Sequence, residues 1–193
     1  MKADRRVGKE PVSDRVLHVP EAVVIATWQA LRPTASKSCE GVVLWAAPAV
    51  HYDSLDQIVT TVLAPEQEVG PGHFELTAEA VRAMGRALRE AGLVNVAQIH
   101  THPDAWVGHS KWDDAHAYSL REGSLSIVWP RYGMDLPPKS AWGVHERLAG
   151  DWMDLSEREA GRRVRILPSV VDLRLHVTFL DAEHGARHVE LDT

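Results

Sequence analysis

The segment from residue 93 to residue 113 reads LVNVAQIHTHPDAWVGHSKWD, and its pattern decides how the chain folds around a set of polar side chains. Apolar and polar residues alternate from residue 93 to residue 100, which predicts a β-strand. Because a strand has a period of two, His100 and His102 project to the same side where this strand ends. Pro103 restricts His102 to an extended conformation and ends the strand pairing. Two imidazoles on one side of a strand end can bind one metal ion, although an isolated pair of this kind more often consists of hydrogen-bonded surface histidines.

Asp113 is predicted to supply a third metal ligand. Ser110 and Asp113 have the spacing of a helix capping box, which places both residues at the start of a helix that follows the loop. A carboxylate from the first turn of that helix would complete a set of three protein ligands with His100 and His102. Three protein ligands and a fourth position left for water are typical of a catalytic zinc site. The sequence therefore predicts one Zn²⁺ per chain.

The flanking sequence alternates between strand and helix patterns, which favours a single α/β domain with a mixed sheet flanked by helices. Helices are predicted at residues 20–33, 77–92 and 110–121. Strands are predicted at residues 41–47, 58–63, 93–100, 124–129 and 141–147, and the strictest alternation covers residues 171–179. A turn after residue 181 and a partner at 187–191 would make this last strand a C-terminal β-hairpin. We expect a flexible N-terminus (1–14), a catalytic domain (15–150) and a C-terminal extension packed on it (151–193).

Composition narrows the class of protein. The chain has 193 residues, 27 acidic against 21 basic ones and a formal net charge of −6. This charge argues against sequence-independent nucleic-acid binding, although a local basic patch remains open around Arg158, Arg162, Arg163 and Arg165. The single cysteine, Cys39, excludes an intramolecular disulfide and Cys-rich zinc motifs. With no signal peptide and no membrane-spanning stretch in the sequence, we expect a cytoplasmic protein.

The spacing His-Thr-His-Pro, six residues, Ser-Lys-Trp-Asp resembles the signature of the JAMM (MPN-plus, JAB-type) zinc metalloproteases. That family also has a glutamate just before a short apolar strand, and Glu40 stands in this position before Gly41-Val42-Val43-Leu44-Trp45. The resemblance covers residues 40 to about 129, and nothing specific matches beyond about residue 150. Trp45-Ala46-Ala47 stands where the family usually has a glycine, which affects the expected shape of the pocket.

The resemblance implies a JAMM-type (cytidine-deaminase-like) fold with a curved mixed sheet, and a hydrolase with named residues. Glu40 would activate the attacking water and pass its proton to the leaving amine, while Ser110 would donate a hydrogen bond to the oxyanion. The substrate would be the peptide or isopeptide bond after the C-terminal glycine of a ubiquitin-like protein. Similarity to small prokaryotic members implies that activating and conjugating enzymes are further partners, in an antiviral defence system. The oligomeric state stays open.

Other classes of protein fit the sequence less well. Ala105 stands where the His-x-His-x-Asp-His pattern of metallo-β-lactamases needs a histidine, and one cysteine excludes the zinc deaminases. Amidohydrolase barrels need about 250 residues, and no His-Glu-x-x-His motif occurs. The serious alternative is a non-catalytic scaffold of the same fold that binds a ubiquitin-like partner. Such relatives usually lose ligands, so retention of all five polar positions argues against a scaffold.

The sequence supports weaker predictions for the remaining candidate site residues. His109 could line the cleft but is expected at the surface, and His116 could be an outer-shell partner of Asp113. Trp106 could clamp a substrate strand or only pack, and Cys39 has no visible His-Asn partners for nucleophilic chemistry. Loops 64–73 and 130–138 are candidates for shaping substrate binding, which we expect to use β-augmentation. Six other histidines are expected to be solvated: His51, His73, His145, His176, His184 and His188.

Overall fold

The computed structural model describes residues 13–119, 121–169, 177–181 and 185–189. In chain order the strands are Val16–Pro20 (β1), Val42–Pro48 (β2), Asp56–Ile58 (β3), Thr61–Leu63 (β4), Glu68–Gly70 (β5), His73–Glu75 (β6), Leu93–Thr101 (β7), Leu125–Trp129 (β8), Gly143–Leu148 (β9), Asp151–Asp154 (β10), Val164–Leu167 (β11), Val177–Asp181 (β12) and Gly185–Val189 (β13). The α-helices are Glu21–Ala35 (α1), Ala78–Glu90 (α2), Lys111–Ala115 (α3) and Glu157–Arg163 (α4).

A six-stranded mixed sheet forms the centre of the fold, with the spatial order β10-β9-β8-β7-β2-β4. Strands β7 and β8 are parallel, and the other neighbouring pairs are antiparallel. Helices cover both faces of this sheet, so the predicted α/β class with a mixed sheet flanked by helices is confirmed. The chain beyond residue 150 contributes to the fold, because β10 extends the sheet at one edge.

Strand β2 is buried on both faces, and its alternation divides the core in two. Val43 and Trp45 face one cluster, which includes Val24 and Leu31 of α1. Val42 and Leu44 face the other cluster, which includes Met84 and Leu88 of α2. A strand covered on both sides reads as a continuous apolar run, which is why residues 41–47 lack alternation. Helix α2 begins and ends as the sequence predicts, with Thr77 capping the Ala80 N–H at 3.1 Å and Gly92 at φ +65°.

Several predicted boundaries differ from the structure. Residues 58–63 are not one strand: β3 and β4 lie in different sheets, and β3 joins β1 and β11 in a parallel three-stranded sheet. The predicted loop 64–73 contains β5, which pairs with β6 as a hairpin. Helix α1 continues two residues past Pro33, because a proline in the last turn removes only one backbone hydrogen bond.

The helix predicted for residues 110–121 is α3, which has only five residues. The C-terminal hairpin is present as the antiparallel pair β12–β13, with its second strand two residues earlier than predicted. Residues 171–176 of the predicted strand and residues 1–12 of the predicted N-terminus lie outside the described residues. No described helix has both the length and the apolar character that crossing a bilayer requires.

A buried ion pair attaches α4 to the main sheet. Arg163 is 2% exposed and Glu146 of β9 is 0% exposed. The Arg163 guanidinium donates to Glu146 Oε1 through Nε at 2.8 Å and Nη2 at 2.7 Å, and also to the carbonyls of Gly123 and Arg15. Arg163 is therefore not part of the basic patch considered above, whereas Arg158, Arg162 and Arg165 are exposed.

We expect Arg163→Met to lower the free energy of unfolding by about 3–5 kcal/mol, because it leaves the Glu146 carboxylate buried without its cation. The double variant Arg163→Met with Glu146→Leu should recover most of that loss. Arg162→Met, one residue away and exposed, should change stability by about 0.5 kcal/mol or less. Urea unfolding of the four proteins measures these effects, and equal losses for Arg162→Met and Arg163→Met would contradict the role of the pair.

Candidate metal centre

His100, His102 and Asp113 meet in one buried group. Their ligand atoms all lie within 4.8 Å of one another. His100 Nε2 is 3.5 Å from Asp113 Oδ1, and His102 Nε2 is 3.4 Å from Asp113 Oδ2. The two imidazoles therefore face the same side of the strand end and meet the carboxylate there.

Strand β7 positions the two histidines. His100 lies inside the sheet, where it is opposite Val42 of β2 and Val128 of β8. Its side chain is 0% exposed and packs beside Phe74 of the β5–β6 hairpin, with 5.6 Å between ring centroids. His102 lies just past the strand, and its N–H donates to the Trp129 carbonyl at 2.9 Å. The sheet therefore fixes the backbone of both residues.

The capping box of α3 orients Asp113. The Ser110 N–H donates to Asp113 Oδ2 at 2.7 Å, and the Asp113 N–H donates to Ser110 Oγ at 3.1 Å. The same carboxylate thus caps the helix and faces the histidines. The box predicted from the sequence is present, and it places Ser110 beside the ligand group.

Trp106 holds His102 through its backbone and its ring. His102 Nδ1 donates to the Trp106 carbonyl at 3.1 Å, which leaves Nε2 for Asp113 and for a ligand. The indole stacks on the imidazole at 5.0 Å and 14°, while 52% of Trp106 remains exposed. The sequence indicated a role for the Trp106 ring but not for its carbonyl, because a residue of any type can supply a backbone acceptor.

The electrostatics of the group favour a bound cation. Burial lowers the pKa of His100 to about 3, although the Asp113 carboxylate opposes that shift. Burial alone would raise the pKa of Asp113, but the adjacent His102 and His100 rings and hydrogen bonding with Ser110 hold it well below its usual range. A neutral imidazole and an ionised carboxylate are the forms that bind metals.

Glu40 lies beside this group at the start of β2 and is 6% exposed. Its N–H donates to the Gly70 carbonyl of the β5–β6 hairpin at 2.9 Å. Burial, with smaller contributions from Asp113 and Asp104 and against the opposing effect of His102, raises the pKa of Glu40 to about 7. Burial lowers the pKa of His102, but Asp113, Glu40 and the Trp106 carbonyl outweigh burial and leave that pKa raised. The Glu40 carboxyl is therefore close enough to His102 and Asp113 for their charges to act on it.

The donor set fits Zn²⁺. Both ring nitrogens of His100 are buried and have no hydrogen-bond partner among the described residues. Leaving such nitrogens unpaired is costly unless they bind a ligand. Zinc held tetrahedrally at about 2.0–2.1 Å places its ligand atoms about 3.3–3.4 Å apart. The nitrogen–oxygen distances of 3.5 and 3.4 Å, one to each oxygen of the Asp113 carboxylate, are close to that spacing.

His109 and His145 were expected at the surface, and the structure corrects both expectations. The His145 residue is 2% exposed, and the His109 side chain is 6% exposed. Their rings lie 4.2 Å apart, and His109 bonds to Asp114 at 2.9 Å and to Ser126 at 2.8 Å. His145 Nε2 donates to the Val107 carbonyl at 3.0 Å, so it fixes the loop between the ligands. These partners come from distant parts of the chain, which sequence spacing does not reveal.

The remaining residues that the sequence analysis considered have the following contacts and exposure. His116 stacks on Trp112 at 3.7 Å and donates to the Trp112 carbonyl, and no described contact links it to Asp113. Cys39 Sγ lies 3.5 Å from the Lys37 carbonyl. His51 and His73 are exposed as expected. His176 and His184 lie outside the described residues, and the side chain of His188 is not described.

The chain is similar to a probable metalloprotease, y4jG, of Sinorhizobium fredii, at 29% identity over 124 residues, which are 63% of this chain and 75% of that protein. Its fold is similar to that of protein DSY2949 from Desulfitobacterium hafniense, with a TM-score of 0.58 and 13% identity over 79% of this chain and 94% of the other. A JAB1/MPN domain protein from Archaeoglobus fulgidus aligns over 79% of this chain and 98% of its own, with a TM-score of 0.45 and 11% identity. No protein-family model matches the chain.

The similarity to a probable metalloprotease and the buried His-His-Asp group agree with each other. The resemblance to metalloproteases predicted from the sequence is confirmed. The donor set of the buried group suits zinc.

We expect Asp113→Ala to abolish tight zinc binding, because it removes a ligand and breaks the capping box together. At zinc concentrations about 100 times the wild-type Kd, the wild type should gain about 2.7 kcal/mol of stability and the variant almost none. His116→Ala lies in the same segment outside the ligand group and should gain as much as the wild type. Thermal unfolding with and without zinc, with metal content as a second readout, tests this, and an undiminished gain in Asp113→Ala would refute the assignment.

Proposed function

We propose that this chain is a zinc-dependent peptidase or isopeptidase, with one zinc per chain held by His100, His102 and Asp113. The observation that carries the proposal is the buried, neutral His100 ring, which faces the Asp113 carboxylate at 3.5 Å and has no other polar partner described. A purely structural histidine would normally be hydrogen-bonded. The Glu40 carboxyl, buried beside the same group, supplies a base.

When bound, zinc polarises a water molecule and lowers its pKa towards about 7. Glu40 accepts the proton of the attacking water and passes it to the leaving amine. With no metal bound, burial raises the pKa of Glu40 to about 7, and a nearby cation would favour the ionised form that accepts a proton. Buried surroundings also keep bulk water away from this exchange.

Ser110 is proposed to donate its hydroxyl proton in a hydrogen bond to the oxyanion that forms from the scissile carbonyl. The capping box places this hydroxyl one helical turn from Asp113, at the start of α3. A donor held by the backbone of a helix start costs little reorganisation when charge develops. Its loss in comparable sites lowers kcat by about 10²–10³.

For the substrate, we propose the bond after the C-terminal glycine of a ubiquitin-like protein, in a precursor or a conjugate. The resemblance to small prokaryotic JAMM proteins supports this choice. It also supports activating and conjugating enzymes as partners and an antiviral setting. The single cysteine, Cys39, supports a cytoplasmic location. Strand β4 lies at the edge of the main sheet beside β2, whose start carries Glu40. An extended tail could pair with that edge by β-augmentation. Loops 64–73 and 130–138 would shape its path.

We expect Glu40→Gln to lower peptide hydrolysis by about 10²–10⁴-fold, because it removes the general base. Zinc content should stay at the wild-type level, since Glu40 is not a ligand. Glu90→Gln, at an exposed acid at the end of α2, is the matched control and should stay active. Rates with chelator and after zinc is restored complete the assay. Cleavage that persists without metal would rule the mechanism out.

If the chain were a non-catalytic scaffold of the same fold, these assays would give a different result. It would bind a ubiquitin-like protein equally well with or without Glu40→Gln and would release no product. We expect instead that fusions with a ubiquitin-like protein followed by a reporter are cut after the C-terminal glycine, and that changing this glycine to valine stops cleavage. Mass spectrometry of the products identifies the bond. Binding without any product from the zinc-loaded wild type would favour the scaffold.

A further inference from the structure

A strained turn follows β8 on the side of the metal centre away from Glu40. Three successive residues have left-handed backbone angles: Arg131 at φ 53°, Tyr132 at φ 57° and Gly133 at φ 66°. Only the glycine adopts this region freely, and the backbones of the other two residues are strained there. Such strain persists where surrounding contacts fix it, and it concentrates at functional sites.

The contacts that fix this turn come from the active-site loops. The Arg131 N–H donates to the Asp104 carbonyl and the Tyr132 N–H donates to the His102 carbonyl, each at 2.7 Å. The Tyr132 hydroxyl donates to the Pro71 carbonyl, in the hairpin that holds Glu40, at 2.9 Å. The turn therefore connects the backbone of a metal ligand to the hairpin on the opposite side of the site.

The same turn forms one wall of a groove of about 450 Å³. Ala105 and Val107, from the loop at residues 103–109 that joins His102 to Ser110, also line the groove. The groove is lined mainly by apolar side chains, among them Ala105, Val107, Leu136, Pro138 and Trp142. Leu136 is 43% exposed, so its side chain is open to a ligand, while Trp142 is 8% exposed and forms the floor.

We propose that this groove is a substrate subsite that takes a bulky apolar side chain of the polypeptide, close to the scissile bond. This inference rests on the proposed function, since it supplies the reason for a polypeptide to reach the groove. The loop that supplies Ala105 and Val107 to the groove begins after His102 and ends before Ser110. Because this loop joins the two parts of the site, we expect a side chain near the scissile bond to enter the groove.

The charges at the groove favour an apolar occupant. Arg131 and Asp135, one cation and one anion, both line it and offset each other. A charged substrate side chain would lose its hydration there without gaining a net opposite charge. An apolar side chain would gain from burial against Leu136 and Val107. Pockets of this kind, apolar with few polar groups, select the shape and hydrophobicity of what they bind.

The test uses zinc-loaded Glu40→Gln protein, in which binding is separated from cleavage. The probe is a fluorescent peptide with a central glycine, made with leucine or alanine at each position around that glycine. Fluorescence anisotropy should show one position where leucine binds about tenfold more tightly than alanine, which corresponds to about 1.4 kcal/mol. Adding Leu136→Glu should remove that preference, because it places a charge in the groove. Val50→Glu, at an apolar residue 84% exposed, should leave the preference unchanged.

Each result decides between distinct conclusions. A preference that survives Leu136→Glu in a protein with unchanged thermal stability overturns the subsite, and so does an absence of peptide binding. Leu136→Glu that alters only self-association would show instead that the groove is an interface between copies of this chain. If the preference depends on Leu136 but the wild type cleaves no peptide, the subsite stands and the proposed hydrolase function fails. If the wild type cleaves peptides but no position depends on Leu136, the subsite alone fails.

Discussion

The structure depends on placing three ionisable side chains in the interior where they satisfy one another only in part. His100 and His102 meet the Asp113 carboxylate at 3.5 and 3.4 Å, slightly beyond ordinary hydrogen-bond lengths. Burial keeps His100 neutral, and its nitrogens lack other partners among the described residues. Burying these groups therefore lowers the stability of the folded chain, and a bound divalent cation would offset this cost. The sheet, the capping box and the loop contacts hold that arrangement.

Secondary structure from distant parts of the chain converges on this group. Strand β7 carries the histidines, β2 begins beside Glu40, and the β5–β6 hairpin packs Phe74 against His100. On the other side, β9 approaches the ligand loop so closely that a Cβ at Gly143 would lie 1.9 Å from the Val107 carbonyl. Only glycine fits there. Contacts from both sides of strands β2 and β7 therefore position the residues of the site.

Much of this was predictable because the signals were local. The alternation at residues 93–100, the capping box at Ser110 and Asp113, and the apolar run after Glu40 each follow from short-range periodicity or cap geometry. The burial of His109 and His145 was not predictable, since it depends on β9 lying beside the ligand loop. The left-handed conformation of Arg131 and Tyr132 was also hidden, because these residue types do not favour positive φ. Tertiary contacts outweighed local preference in both cases.

Helix α3 has only five residues, far fewer than the ~12–15 that an isolated helix needs to persist in water. Its start is held by Asp113, the residue that also faces the histidines. Helix and cation thus share one anchor, so occupancy of the centre and order of the segment that presents Ser110 are thermodynamically linked. The order of this single helical turn would therefore depend on whether the metal is bound.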